Sequence, residues 1–139
     1  MKRFFLIILA IFLFSLAGHT KDKQGLKRFD FGPGKVKKGW TLVTETSLYS
    51  VEKGFGIILS GEMAPGKTGS KEPLTGDYLS STKPFYFVAD MPEGHYQITL
   101  TLGGSAEGSS TALKAESRRL MFENVKTEKG ETIQKKIAV

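Results

Sequence analysis

The sequence has no cysteine, one tryptophan and two histidines, and almost nowhere shows the apolar spacing of an amphipathic helix. Without cysteine there is no disulfide framework, no thiolate metal site and no cysteine for lipid attachment. The histidines, His19 and His95, are too few for a zinc site. Basic residues are not concentrated either. Lys35, Lys37, Lys38, Lys67, Lys71, Lys83, Lys135 and Lys136 are scattered, with no basic helix and no RNA-binding aromatic signature. This argues against nucleic acid as a partner and for a solvated basic face.

One long apolar run is present, from Phe4 to Leu16, behind the basic Met1-Lys2-Arg3. Its length fits a secretory signal core and falls short of the roughly 20 residues that span a bilayer. Ser15 and Ala17 are small residues at the positions a signal peptidase reads, so cleavage is expected just after Ala17, within three residues. The expected mature protein is secreted or periplasmic, with no membrane attachment after cleavage, and monomeric. Lys2 and Arg3 leave with the leader, which lowers the formal charge by two from +6. Residues 18–25 read as a polar leader into one domain over residues 26–139.

Period-two alternation dominates that domain. In Tyr96-Gln-Ile98-Thr-Leu100-Thr-Leu102 every even residue is apolar and every odd one polar, the pattern of a half-buried strand. Phe85, Phe87 and Ala89 alternate with Tyr86, Val88 and Asp90, and Met91-Pro92-Glu93-Gly94-His95 supplies turn chemistry between the two runs. The spacing predicts an antiparallel hairpin there. Further strands are expected at Leu26 to Phe31, Trp40 to Val43, Phe55 to Leu59, Thr111 to Ser117, Arg119 to Glu123 and Thr132 to Val139. In the last of these Lys135 interrupts an otherwise apolar face. With 16 glycines and many short strands, the pattern predicts an all-β, antiparallel β-sandwich of jelly-roll type.

Gly61-Glu-Met-Ala-Pro-Gly66-Lys67-Thr68 matches the Gly-x-x-x-x-Gly-Lys-[Ser/Thr] pattern of a phosphate-binding loop. Such a loop needs a helix after it, because the helix N-terminus completes the anion site. Gly69, Pro73 and Gly76 break any helix there. The stretch is therefore expected to be a flexible surface connector rather than a nucleotide site.

Catalytic constellations are sparse. A triad of Ser80, His95 and Asp90 can be written down for a small serine esterase. In esterases of the Gly-Asp-Ser-Leu class, however, serine directly follows aspartate, whereas Tyr78 and Leu79 intervene between Asp77 and Ser80. His95 falls beside a turn on the polar side of its strand. No cofactor is expected, although Asp30, Asp77, Asp90 and nearby carbonyls have the oxygen chemistry for a structural calcium. The aromatic residues divide by alternation. Phe29, Phe31, Phe85 and Phe87 are expected on the core, while Trp40, Tyr49, Tyr78 and Tyr86 lie at strand edges or on the opposite face. Rings with a polar handle on an exposed sheet suit stacking against sugars, and one of Arg118 and Arg119 could meet the same ligand. Trp40, Tyr49, Tyr78, Tyr86 and Arg118 are the candidate carbohydrate-binding residues.

Four segments carry a resemblance: Phe29-Asp30-Phe31-Gly32; Gly76-Asp77 ahead of Pro84-Phe85; Pro92-Glu93-Gly94-x-Tyr96; and Glu116-x-Arg118-Arg119-Leu120-Met121. Together they resemble the N-terminal galactose-binding-like β-sandwich that precedes the catalytic domain in bacterial rhamnogalacturonan acetylesterases of the SGNH/GDSL hydrolase class. That domain is also found beside β-agarases. The resemblance runs from about Lys27 to Val139, and it implies a secreted accessory or carbohydrate-binding module in pectin side-chain degradation. The implied partner is a pectic or galactose-containing polysaccharide, or an SGNH/GDSL catalytic domain. The chain has neither the Gly-Asp-Ser block nor the late Asp-x-x-His of that family, so no hydrolytic residue carries over. The resemblance therefore implies a non-enzymatic chain, truncated relative to the parent esterase.

Overall fold

The computed structural model describes residues 25–59, 62–116 and 119–139. The expected signal peptide, nearly all of the polar leader, Gly61 and Arg118 lie outside the described residues. Among those described, every regular element is a strand: β1 (Phe29–Phe31), β2 (Thr41–Val43), β3 (Phe55–Leu59), β4 (Met63–Lys67), β5 (Asp77–Ser81), β6 (Tyr86–Ala89), β7 (Gln97–Gly103), β8 (Ser109–Ala115), β9 (Arg119–Thr127) and β10 (Thr132–Ala138). No helix among them is long and apolar enough to cross a membrane. The all-β reading holds, and the architecture is a β-sandwich.

The strands pair as five ribbons: β1 with β2, β3 with β6, β4 with β5, β7 with β10, and β8 with β9. Four are antiparallel, whereas β1 and β2 run parallel, with Phe29 opposite Thr41 and Phe31 opposite Val43. Phe29 and Phe31 share one face of β1 by alternation. Phe29 meets Phe55 at 5.2 Å and Phe87 at 4.9 Å between ring centroids, and Phe31 meets Phe87 at 4.9 Å edge-on. Tilted and edge-on pairs of this kind contribute about 0.5–1.5 kcal/mol each beyond the area they bury. Val43 and Ile57 are fully buried in this half of the molecule. In the other half Val125 of β9 and Ile137 of β10 are buried, and Lys135 turns its ammonium over the ring of Phe122 at 5.4 Å. That contact accounts for a lysine on the apolar face of β10, because an alkyl stem and a cation both suit an aromatic neighbour.

Three expectations are corrected. The predicted hairpin between the Phe85 and Tyr96 runs does not form, since β6 pairs with β3 and β7 with β10. Pro92 and Gly94 turn the chain from one ribbon to another, and the Tyr96 hydroxyl staples that turn by donating to the Pro92 carbonyl. The stretch read as a flexible connector contains β4, paired from Met63 opposite Ser81 to Lys67 opposite Asp77. Pro65 is tolerated because β4 has a partner on one side only, so its missing N–H breaks no second ladder. Phe85, expected on the core, precedes β6 and is 38% exposed.

Candidate functional site

The aromatic candidates fall on different elements of the fold. The Tyr49 main chain lies along the edge of β3, donating its N–H to the Ile57 carbonyl at 3.1 Å. Its hydroxyl lies 3.2 and 3.1 Å from the two carboxylate oxygens of Asp90. That hydrogen bond raises the Tyr49 phenol above its ordinary value, with desolvation and the negative charge of Asp90 adding to it. Tyr86 lies across β3 from that edge, on β6, 49% exposed. Tyr78 packs its ring against Gly66, its partner on β4. Trp40 is half-buried in the turn before β2, its N–H bonded to the Lys37 carbonyl at 3.0 Å.

Next to Trp40, the start of β1, the turn into β2 and the loop before β3 enclose a groove of about 310 Å³. This is the lower end of the roughly 300–1,000 Å³ of small-molecule sites. Phe29 and Phe55 contribute aromatic surface, and Lys27, Arg28 and Lys53 line it with positive charge. Lys27 donates its ammonium to the Asp90 carbonyl, and Lys53 donates to the Leu48 carbonyl at 3.0 Å. Both acceptors are neutral, and among the described residues no carboxylate lines the groove. None of these five residues stood out as a ligand contact in the sequence. Only the adjacency of Lys27-Arg28 to the Phe-Asp-Phe-Gly segment hinted at it, because Lys53 and Phe55 join only when β3 is in place.

On the opposite side of β1, Asp30 is 5% exposed and accepts the Lys37 N–H at 3.4 Å. Burial pushes its carboxyl above the ordinary range, the Lys37 hydrogen bond pulls it back, and the charge of Asp77 raises it again. Asp77 itself receives the Gly34 N–H. Thus two of the three carboxylates considered for calcium come near each other, while Asp90 is engaged with Tyr49. No group of three or more acidic or histidine side chains placed to hold a metal occurs among the described residues. A second hollow of about 220 Å³ lies beside Asp77, lined by Lys35, Lys67 and Lys71 together with Glu72. Lys67 of the phosphate-loop-like stretch therefore sits on a strand, with β3 antiparallel to β6 before it and turns after it. Among the described residues there is neither the parallel strand nor the helix of a nucleotide site.

The elements of the esterase triad stay apart in their bonding. Ser80 donates its hydroxyl to the Ala64 carbonyl at 3.2 Å, the Asp90 carboxylate is held by Tyr49, and His95 is exposed with no side-chain hydrogen bond among the described residues.

Residues 27–129, more than half of the chain, match the model of the family described as beta-agarase/YXIM esterase-like, galactose-binding domain-like. The chain belongs to this family. The matched galactose-binding-like domain is of a binding type rather than a catalytic one. A curated relative, the uncharacterized esterase YxiM of Bacillus subtilis (strain 168), is 32% identical over 89 residues, covering 61% of this chain and 23% of the relative. The chain thus spans about a quarter of the length of the esterase it matches. No solved structure matches the chain.

Proposed function

We propose that this galactose-binding-like domain is a non-catalytic, carbohydrate-binding accessory module of a secreted or periplasmic carbohydrate esterase of the rhamnogalacturonan acetylesterase type, acting on pectic side chains. The observation that carries the reading is the aromatic-lined groove at the head of β1, in a chain of a galactose-binding-like family. A sugar ring has an apolar face and a polar rim. Phe29 and Phe55 match the first, and the cations and Thr41 match the second. In this reading hydrolysis belongs to a separate SGNH/GDSL domain, and the module holds that domain near its polymer.

Affinity electrophoresis through gels containing pectic polysaccharides and galactans tests this, with migration slowed by at least one of them expected. Unchanged migration in every glycan would overturn it. Hydrolysis of an aryl acetate that disappears in Ser80→Ala would instead support the esterase alternative based on Ser80 and His95.

A second role, as a brace docked on the catalytic domain, is favoured by Leu48, Val51 and Ile58, which are 58%, 85% and 57% exposed along and beside β3. Apolar side chains left in water in one region suit a domain contact. Co-expression with the esterase domain checks it: co-purification that is lost in Ile58→Glu supports the brace, and independent elution sinks it.

A further inference from the structure

Resting on the carbohydrate-binding reading, we infer that the groove between β1, β2 and the loop before β3 selects an anionic sugar unit, one whose pyranose ring carries a carboxylate or a sulfate ester. Charge and its compensation carry the inference. Three cationic side chains, Lys27, Arg28 and Lys53, line the groove, and among the described residues no acid lines it. The described partners of the two ammonium groups are backbone carbonyls, and the nearby Asp90 carboxylate, which adjoins Gly54, is engaged by the Tyr49 hydroxyl. Arg28 has no side-chain hydrogen bond among the described residues, so its planar fork is free to take two oxygens of one anion. The hollow beside Asp77 differs in this respect. There Glu72 and Asp77 accompany Lys35, Lys67 and Lys71, and the field is largely cancelled within the lining.

Shape narrows the class further. The aromatic pair Phe29 and Phe55, tilted at 44°, supplies an apolar surface for the C–H face of a ring, which an isolated inorganic anion would not use. A phosphate-loop site would present converging backbone N–H groups at a turn or a helix end. This groove presents long cationic side chains around aromatic carbon instead. Its volume suits a unit of monosaccharide size within a polymer, with the chain of the polymer leaving through the open side. The cations come from two segments, Lys27-Arg28 ahead of β1 and Lys53 in the loop before β3, and both line the same groove as Phe29 and Phe55. The electrostatic wall and the stacking surface are thereby fixed to the same pair of strands.

The test uses the full chain and three polymers: polygalacturonate, which carries carboxylates; a sulfated galactan; and a neutral galactan. Binding is measured by affinity electrophoresis and titration calorimetry at low and at raised salt. Wild type is compared with Arg28→Ala/Lys53→Ala, with the milder Arg28→Gln, and with Lys114→Ala/Lys126→Ala, which removes the same charge from the distant β8–β9 ribbon. The altered side chains are exposed, and thermal melts verify that each variant folds. The expected result is binding to polygalacturonate, the sulfated galactan or both in preference to the neutral polymer, weakened by raised salt. The groove double variant should lose affinity by about tenfold, Arg28→Gln by a smaller factor in the same direction, and the β8–β9 variant hardly at all. Preference for polygalacturonate would identify the carboxylate form, and preference for the sulfated galactan the sulfate form. Equal binding of neutral and anionic polymers would overturn the inference while leaving the carbohydrate-binding reading standing. Equal losses in the two double variants would also overturn it, since net charge and not the groove would then be responsible. Failure to bind any of the three polymers would remove both readings.

Discussion

Tyr49 and Asp90 are joined across β3: the tyrosine flanks one edge of that strand, and its hydroxyl reaches the carboxylate that follows β6 on the other edge, at 3.1 and 3.2 Å. The same Asp90 takes the Lys27 ammonium on its carbonyl, so the link also steadies one wall of the groove. The phenol is held above its ordinary value of 10.0 by that bond. A raised folded-state value means the contribution to stability is fully present below pH 10.0 and is lost as pH climbs through the folded-state value. Absorbance titration should show one late-ionising tyrosine that is missing in Tyr49→Phe, with a small drop in the melting midpoint of the variant at neutral pH. A wild-type titration superimposable on that of the variant would contradict the link.

Gly34 and Asp77 set a second relationship, between the loop after β1 and the start of β5. A Cβ on Gly34 would collide with the Asp77 carboxylate, and Gly32 leaves only 2.5 Å to the same group. Gly34→Ala should therefore cost about 1–3 kcal/mol in denaturant unfolding, as overpacking does. Asp77→Ala in the same chain should recover part of that cost. A strictly additive double variant would show that the two residues do not meet.

Asp30 gives a pH dependence of opposite sign to that of an ion-paired aspartate. Burial comes first among its causes and the charge of Asp77 adds to it, so its carboxyl titrates above 3.8 in the folded protein. Its contribution to stability is greatest below pH 3.8 and is lost as pH rises through the folded-state value. Asp30→Asn keeps an acceptor for the Lys37 N–H and removes the charge. Subtracting the melting midpoints of the variant from those of the wild type should give a curve that falls as pH rises above 3.8. A flat difference would refute the assignment.

The Phe87 ring joins Phe29 and Phe31, so Phe87→Ala should remove about 3 kcal/mol, the lower part of the range for a large aromatic because the site is half-buried. Chemical denaturation checks it. A loss near zero would mean that the aromatic cluster does not hold β1 on the β3–β6 ribbon.

Period-two alternation placed most of the strands to within a few residues, as at Phe55–Leu59 and Thr132–Ala138, because a half-buried strand writes its faces into neighbouring positions. Partner choice is written elsewhere. Nothing local in the Phe85 and Tyr96 runs says that they separate to join β3 and β10, since pairing is settled by contacts far apart in the chain. β4 was hidden by its own Pro65 and Gly66, which read as turn residues and are accommodated only because the strand lies at a ribbon edge. The groove was hidden for a similar reason. Its lysines are ordinary surface residues in sequence, and only the fold brings Lys53 to the same groove as Arg28.

In the proposed role, this domain binds a glycan and does no ester chemistry. Running the purified protein through gels that contain pectic polysaccharide, and assaying the same sample for release of acetate from an aryl acetate, measures both halves together. Slowed migration with no release of acetate above buffer is the expected result. Unslowed migration in every glycan, or turnover abolished by Ser80→Ala, would contradict it.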